Sequence, residues 1–112
     1  MKLINVTKEK IVLDEVEVAD SFVSRLKGLL GRKSLSIRSG LIIKPCNSVH
    51  CFFMKFPIDV AFVDKENRVV KIIFSMKPGS VSPIVSKSYF VIEANAGELE
   101  GDINLGDIVE MN

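Results

Sequence analysis

The sequence predicts an all-β fold, mainly antiparallel, built as a small barrel or sandwich with one short α-helix near residues 20–30. Three observations lead there. About eight short β-prone segments follow one another with turn residues between them, only one segment repeats its apolar residues at helical spacing, and no βαβ alternation is evident. The 112 residues suffice for one hydrophobic core without disulfides or metals, so a single domain, 1–112, is expected. With 47% hydrophobic and 26% charged residues interleaved along nearly the whole length, the chain has a globular and not a disordered composition.

Residues 2–7 and 10–18 are β-prone, the latter through Lys10-Ile11-Val12-Leu13 and the alternating Val16-Glu17-Val18, and Thr7-Lys8-Glu9 between them suggests a hairpin. Asp20 or Ser21 then caps a short helix whose apolar face is Phe22, Leu26, Leu29 and Leu30, with Gly31 as its stop. Gly28 inside this segment costs about 1 kcal/mol relative to alanine, which marks a fraying end or a close backbone approach. Residues 32–39 read as a basic loop and residues 40–43 as a short buried strand that ends before Pro45. Residues 49–56 and 58–63 are two further strands, and Asp64-Lys65-Glu66-Asn67 turns the chain into a strand over 68–74. A loop over 76–83, a strand over 89–94 and a last strand over 108–111 complete the chain. Gly40, Gly97 and Gly106 are expected in turns that need a permissive backbone.

Charge is unevenly distributed. Ser21 to Ile58 carries Arg25, Lys27, Arg32, Lys33, Arg38, Lys44 and Lys55 with no acid, whereas the residues from Ser88 onward carry six acids and no lysine or arginine. The halves either neutralise each other across the fold or leave an anion-attracting surface. Nucleic acid is not expected as a partner, because the basic residues lack aromatic interleaving or a recognisable motif. The N-terminus reaches a polar residue too early for a signal-peptide core, and no run approaches the ~18 apolar residues of a membrane span. The expected setting is therefore cytoplasmic, without membrane association, and Cys46 and Cys51 are expected reduced. No glycine-rich phosphate loop is present, and no cofactor is expected.

Reactive residue types concentrate in the stretch from Pro45 to Asp64, which holds the only histidine and both cysteines. Were residues 49–56 extended, His50, Phe52, Met54 and Phe56 would share one face, and Cys51, Phe53 and Lys55 the other. Cys46 and His50 are candidates for a nucleophilic thiol with its base, or for two ligands of a soft metal. Four residues at ~3.3 Å each hold them about 13 Å apart in an extended chain, so either role requires a turn at Asn47-Ser48. No metal site is expected, since two ligands are too few for zinc without an acid completing the set. Asp59, between Ile58 and Val60, needs a hydrogen-bond partner if buried: Lys55, an arginine of the helical segment or a backbone amide in a structural role, with acid/base or ligand duty as the alternative. Arg25, Arg32, Asn47 and Lys55 are the candidate ligand-binding side chains.

Read together, these segments resemble domain-of-unknown-function family 192, also called uncharacterised protein family 0127, from about Val18 to the C-terminus. The resemblance runs through Arg25-Leu26-Lys27-Gly28-Leu29-Leu30-Gly31-Arg32, Gly40-Leu41-Ile42-Ile43, Pro45 to His50, Phe53 to Asp64, Val91 to Gly97 and Gly106-Asp107. Phe53 stands where many relatives have Trp, and Leu30 where Met is common. The resemblance implies a small β-rich, barrel-like fold and brings no activity, substrate or catalytic set with it. The functional expectation is a small binding or accessory domain whose pocket lies beside Cys46 to Asp59 and accepts an anionic or polar small molecule. The alternatives are a thiol-based or metal-assisted enzyme using Cys46, His50 and Asp59, and a macromolecular interaction domain with no pocket.

Overall fold

The computed structural model describes residues 1–29, 31–52 and 54–112, less the side chains of Phe22 and Leu26. In order, the elements are β1 (Leu3–Asn5), β2 (Lys10–Leu13), β3 (Glu15–Ala19), α1 (Phe22–Lys27), β4 (Ser39–Ile43), β5 (Ile58–Val63), β6 (Val69–Met76), β7 (Phe90–Asn95) and β8 (Val109–Met111). The strands form a three-stranded sheet, β2-β1-β8, and a five-stranded sheet, β3-β4-β7-β5-β6, and the sheets do not close into a barrel. The predicted all-β class is what forms, and the hairpin after β1 and the turn at residues 64–67 are both present.

One pair departs from the antiparallel rule. β3 and β4 run parallel, with α1 in the crossover between them, so the chain does contain one βαβ unit where none was expected. Reading residues 10–18 as one strand concealed it. At Asp14 the chain leaves the small sheet for the large one, and the N–H groups of Asp14 and Glu15 both point at the Arg38 carbonyl, at 2.8 and 3.3 Å.

The five-stranded sheet is buried on both faces, which is why β5 and β7 read as nearly continuous apolar runs. One face, with Ile42, Ala61, Val63, Phe90, Ile92 and Ala94, packs against Leu3, Val12, Leu13 and Val109 of the small sheet. The other face, with Leu41, Ile43, Val60, Phe62 and Val91, is covered by Leu29 and by the chain around Cys46 to Phe56. Ser21 caps α1 by accepting from the Ser24 N–H at 3.1 Å, and Ser24 Oγ accepts in return from the Ser21 N–H at 3.0 Å. The helix ends at Gly28, ahead of the expected stop at Gly31, because Gly28 takes a positive φ of 47° and donates its N–H to the Ser24 carbonyl. Leu29 of the predicted helix face is buried. Leu30 and Phe53, the two positions where the family resemblance departs, lie outside the described residues, as do the side chains of Phe22 and Leu26.

Among the described residues of the expected strand over 49–56, none lies in a regular strand, and one bridge forms, between His50 and Val81. The backbone partners of this stretch lie some thirty residues along the chain. Cys51 N–H donates to the Ser80 carbonyl at 2.8 Å, Ser82 N–H to the Val49 carbonyl at 2.8 Å, and Val85 N–H to the Asn47 carbonyl at 2.8 Å. The Cys51 carbonyl then accepts from both Met54 and Gly79, which turns the chain and ends any alternation of faces. Gly97 and Gly106 occupy positive-φ turns as expected. Gly40 instead lies inside β4, where a Cβ would come within 2.6 Å of Leu13 Cδ1 and 2.8 Å of the Glu93 carbonyl oxygen, so close approach and not a turn demands glycine there.

Candidate functional site

The chain from Cys46 to Met54, the end of α1 and the middle of β7 enclose a cleft of about 80 Å³, lined among others by Arg25, Gly28, Cys46, His50, Met54 and Glu93. Each water in such a space takes about 10–15 Å³, so this is room for a few waters or a compact ligand. The hollow beside Phe74 and Leu105, about 400 Å³, is larger but shallow, and it is built mainly from apolar side chains at the β6 edge.

Glu93 is the floor of the cleft. It pairs with Leu41 on β4 and Val60 on β5, in the centre of the sheet, and is only 4% exposed. No hydrogen-bond donor among the described residues reaches its carboxyl, and burial pushes its pKa up to about 7. Gly28 leaves room above it, since a Cβ at that position would lie 3.8 Å from Glu93 Oε1. Arg25 forms a wall. Its Nη1 donates to the Pro45 carbonyl at 3.2 Å, while its Nε is buried with no hydrogen-bond partner.

Cys46 lies within the fields of both groups. Burial raises its thiol pKa, a hydrogen bond with the Ser48 backbone lowers it, the Glu93 charge raises it and the Arg25 charge lowers it, with a net rise; as a protonated thiol, Sγ donates to the Ser48 carbonyl at 3.1 Å. Cys51 is fully buried, and burial, reinforced by Glu93 and opposed by Ser80, pushes it up to about 11. Both thiols are therefore protonated near neutrality, and neither is in a disulfide. His50 borders the cleft but is exposed, with its ring stacked on Phe52 at 5.0 Å and its Nδ1 accepting from the Phe52 N–H at 3.3 Å.

The remaining candidates from the sequence are elsewhere. Asp59 is fully buried on the opposite face of the sheet, where Oδ1 accepts from the Ser75 N–H at 2.8 Å and Oδ2 from Gly97 and Leu99 at 2.8 and 3.1 Å. It meets neither Lys55, which is exposed, nor an arginine of the helical segment. Arg32 pairs with Glu17 at 2.9 Å. The Asn47 side chain is exposed while its carbonyl holds Val85. Cys46, His50 and Arg25 thus share one cleft, and Asp59, Arg32, Asn47 and Lys55 are outside its lining. Among the described residues no three His, Cys, Asp or Glu side chains form a group able to hold a metal ion.

Sequence reasoning passed over Glu93. The signal was the one that singled out Asp59: a carboxylate inside an apolar strand run, here Val91-Ile92-Glu93-Ala94.

The DUF192 family model, described as "Uncharacterized ACR", matches residues 3–111. The UPF0127 protein of Pyrococcus furiosus is 31% identical, over 98% of this chain and 97% of that protein. The UPF0127 protein of Thermococcus gammatolerans is also 31% identical, over 96% of this chain and 72% of that one. A crystal structure of a protein of unknown function from Novosphingobium aromaticivorans shares the fold, with a TM-score of 0.83 at 24% identity over 98% of this chain and 82% of that one.

Proposed function

The chain belongs to the DUF192 family, and on that premise we propose that it is a small binding or accessory domain that holds an anionic or polar small molecule in the cleft beside Cys46. The supporting observation is Arg25. Arg25 lines the cleft, and its guanidinium, anchored by the Nη1 donation to the Pro45 carbonyl, supplies a positive charge beside it. Lys27 lines the same cleft, adding a second positive charge that favours an anion.

Catalysis by Cys46 has less support. Its thiol pKa is raised, and Asp59, the third member of the imagined set, is committed to backbone amides across the sheet. Two free cysteines fit a reducing, cytoplasmic setting. No helix among the described residues is long and apolar enough to cross a membrane.

The test is thermal melting of the full chain against acetate, phosphate, sulfate and small amino and hydroxy acids. A ligand that binds the folded state raises the melting temperature by mass action. We expect at least one member to do so in the wild-type chain and to lose the effect in Arg25→Gln. An unchanged melting temperature across the whole panel overturns the reading.

A further inference from the structure

We propose that the ligand of this cleft is a compact carboxylate that also carries a hydrogen-bond donor, an amine or a hydroxyl, with the carboxylate at Arg25 and the donor on Glu93. This rests on the cleft being a binding site and specifies its ligand class.

Two polar side chains line the same small space with hydrogen-bonding capacity that the described residues leave unused, and their requirements are opposite. The Arg25 guanidinium is a donor group whose hydrogen bond among the described residues goes from Nη1 to the Pro45 carbonyl, with its other N–H groups left for an acceptor. The Glu93 carboxyl offers two acceptor oxygens with no donor on them among the described residues. They do not satisfy each other: no ion pair joins them, and Arg25 is not among the causes that shift Glu93. Arg25, Cys46 and Glu93 all line the cleft, so a molecule seated in it borders all three.

A plain anion accounts for only half of this arrangement. Arg25 and Lys27 already supply its counter-charge, whereas a carboxylate in the floor repels an anion whenever it ionises. Such a residue makes sense in a binding site when the ligand brings a donor to it, and it then rejects analogues lacking that donor by leaving Glu93 unpaired. Size narrows the class further. At about 80 Å³ the cleft is far below the 300 Å³ or more typical of drug-sized ligands, which leaves molecules of a few heavy atoms. Gly28 contributes by omission, because a side chain there would stand over Glu93 Oε1 and Ile43 Cδ1.

The experiment is an NMR titration of the full chain at neutral pH with glycine, β-alanine and glycolate, alongside acetate and propionate, which lack the donor. At least one donor-bearing acid is expected to bind about tenfold tighter than acetate. Glu93→Gln, nearly isosteric, is expected to shrink that preference, and by removing a charge that repels anions it is expected to tighten acetate rather than weaken it. Arg25→Gln is expected to weaken every carboxylate, and retention of the wild-type amide spectrum outside the cleft establishes that both variants fold. If acetate binds as tightly as the donor-bearing acids, or if Glu93→Gln leaves their advantage intact, the ligand class is wrong while the cleft remains a carboxylate site. If no acid perturbs the cleft resonances and the wider melting panel is also silent, the binding reading itself falls, and this inference with it.

Discussion

Asp59 and Glu93 lie one pairing step apart on neighbouring strands and turn their carboxyls to opposite faces of the same sheet. Asp59 is paired with Ala94, and Val60 with Glu93, so the period-two alternation of β5 and β7 separates the two acids. The consequence is two buried carboxyls with different work. Asp59 accepts three backbone N–H bonds, whereas Glu93 faces the cleft with none from the described residues.

Asp59 acts as a clamp that ties the β6 backbone at Ser75 to the turn at residues 97–99. Asp59→Asn offers an amide N–H to a site built from donors, so at least one backbone amide loses its acceptor, and the expected loss is about 1–3 kcal/mol. Asp59→Ala frees all three and leaves a void, for about 3–5 kcal/mol. Urea denaturation reads both. Loss of acetate or amino-acid binding at unchanged stability would instead place Asp59 in the ligand site.

Glu93 makes stability depend on pH in the opposite sense to a salt-bridged carboxylate. Its pKa rises from 4.5 to about 7 on folding because of burial, so the folded chain keeps a proton that the unfolded chain has released. Stability at this group is therefore greatest below about pH 4.5, falls as pH rises toward 7, and levels off above that. The total is about 3 kcal/mol by order of magnitude. Arg25, Lys27, Cys46 and His50 line the same cleft, so comparison with Glu93→Gln is needed to isolate the carboxyl. The variant is expected to match wild type near pH 4 and to exceed it near pH 8. Parallel stability–pH curves would show that Glu93 does not titrate as burial requires.

The all-β class, α1 and the strands β4 to β8 were legible because each rests on local pattern: alternating or continuous apolar runs, a serine cap and turn residues. What escaped was set by distant residues. The run at 49–56 carries strand-like residue types, but its hydrogen bonds go to residues 79–85, and no local pattern encodes that pairing. Residues 10–18 have one continuous β signal although Leu13 and Glu15 serve different sheets. Within the site, Arg25, Cys46 and His50 were recoverable from residue type. Glu93 was hidden because the C-terminal acids were weighed as a group and not by position within a strand.

Gly40 tests the packing between the sheets. An added methyl meets Leu13, which has some freedom, and the Glu93 carbonyl oxygen, which is part of the β4–β7 pairing and has little. Gly40→Ala is therefore expected to destabilise by about 1–3 kcal/mol despite alanine's better conformational entropy. Because the obstructing atom belongs to the Glu93 backbone, the same variant should also move the cleft resonances. A chain as stable as wild type would mean that β4 and β7 separate readily.

Cys46 tests whether the cleft is a place for chemistry or for holding a ligand. Burial, helped by the Glu93 charge, outweighs the Ser48 hydrogen bond and the Arg25 charge, so little thiolate exists at neutral pH. Disulfide-exchange labelling is expected to be slower than for a free cysteine and to accelerate only in alkaline solution. Glu93→Gln removes one of the charges that raise the pKa and should shift the rate profile toward lower pH, while Arg25→Gln should shift it upward. Cys46→Ser should retain carboxylate binding, since neither the Arg25 donor nor the Glu93 acceptor is altered. Rapid labelling at neutral pH, lost in His50→Gln, would reverse the assignment and make the thiol the working group of the cleft.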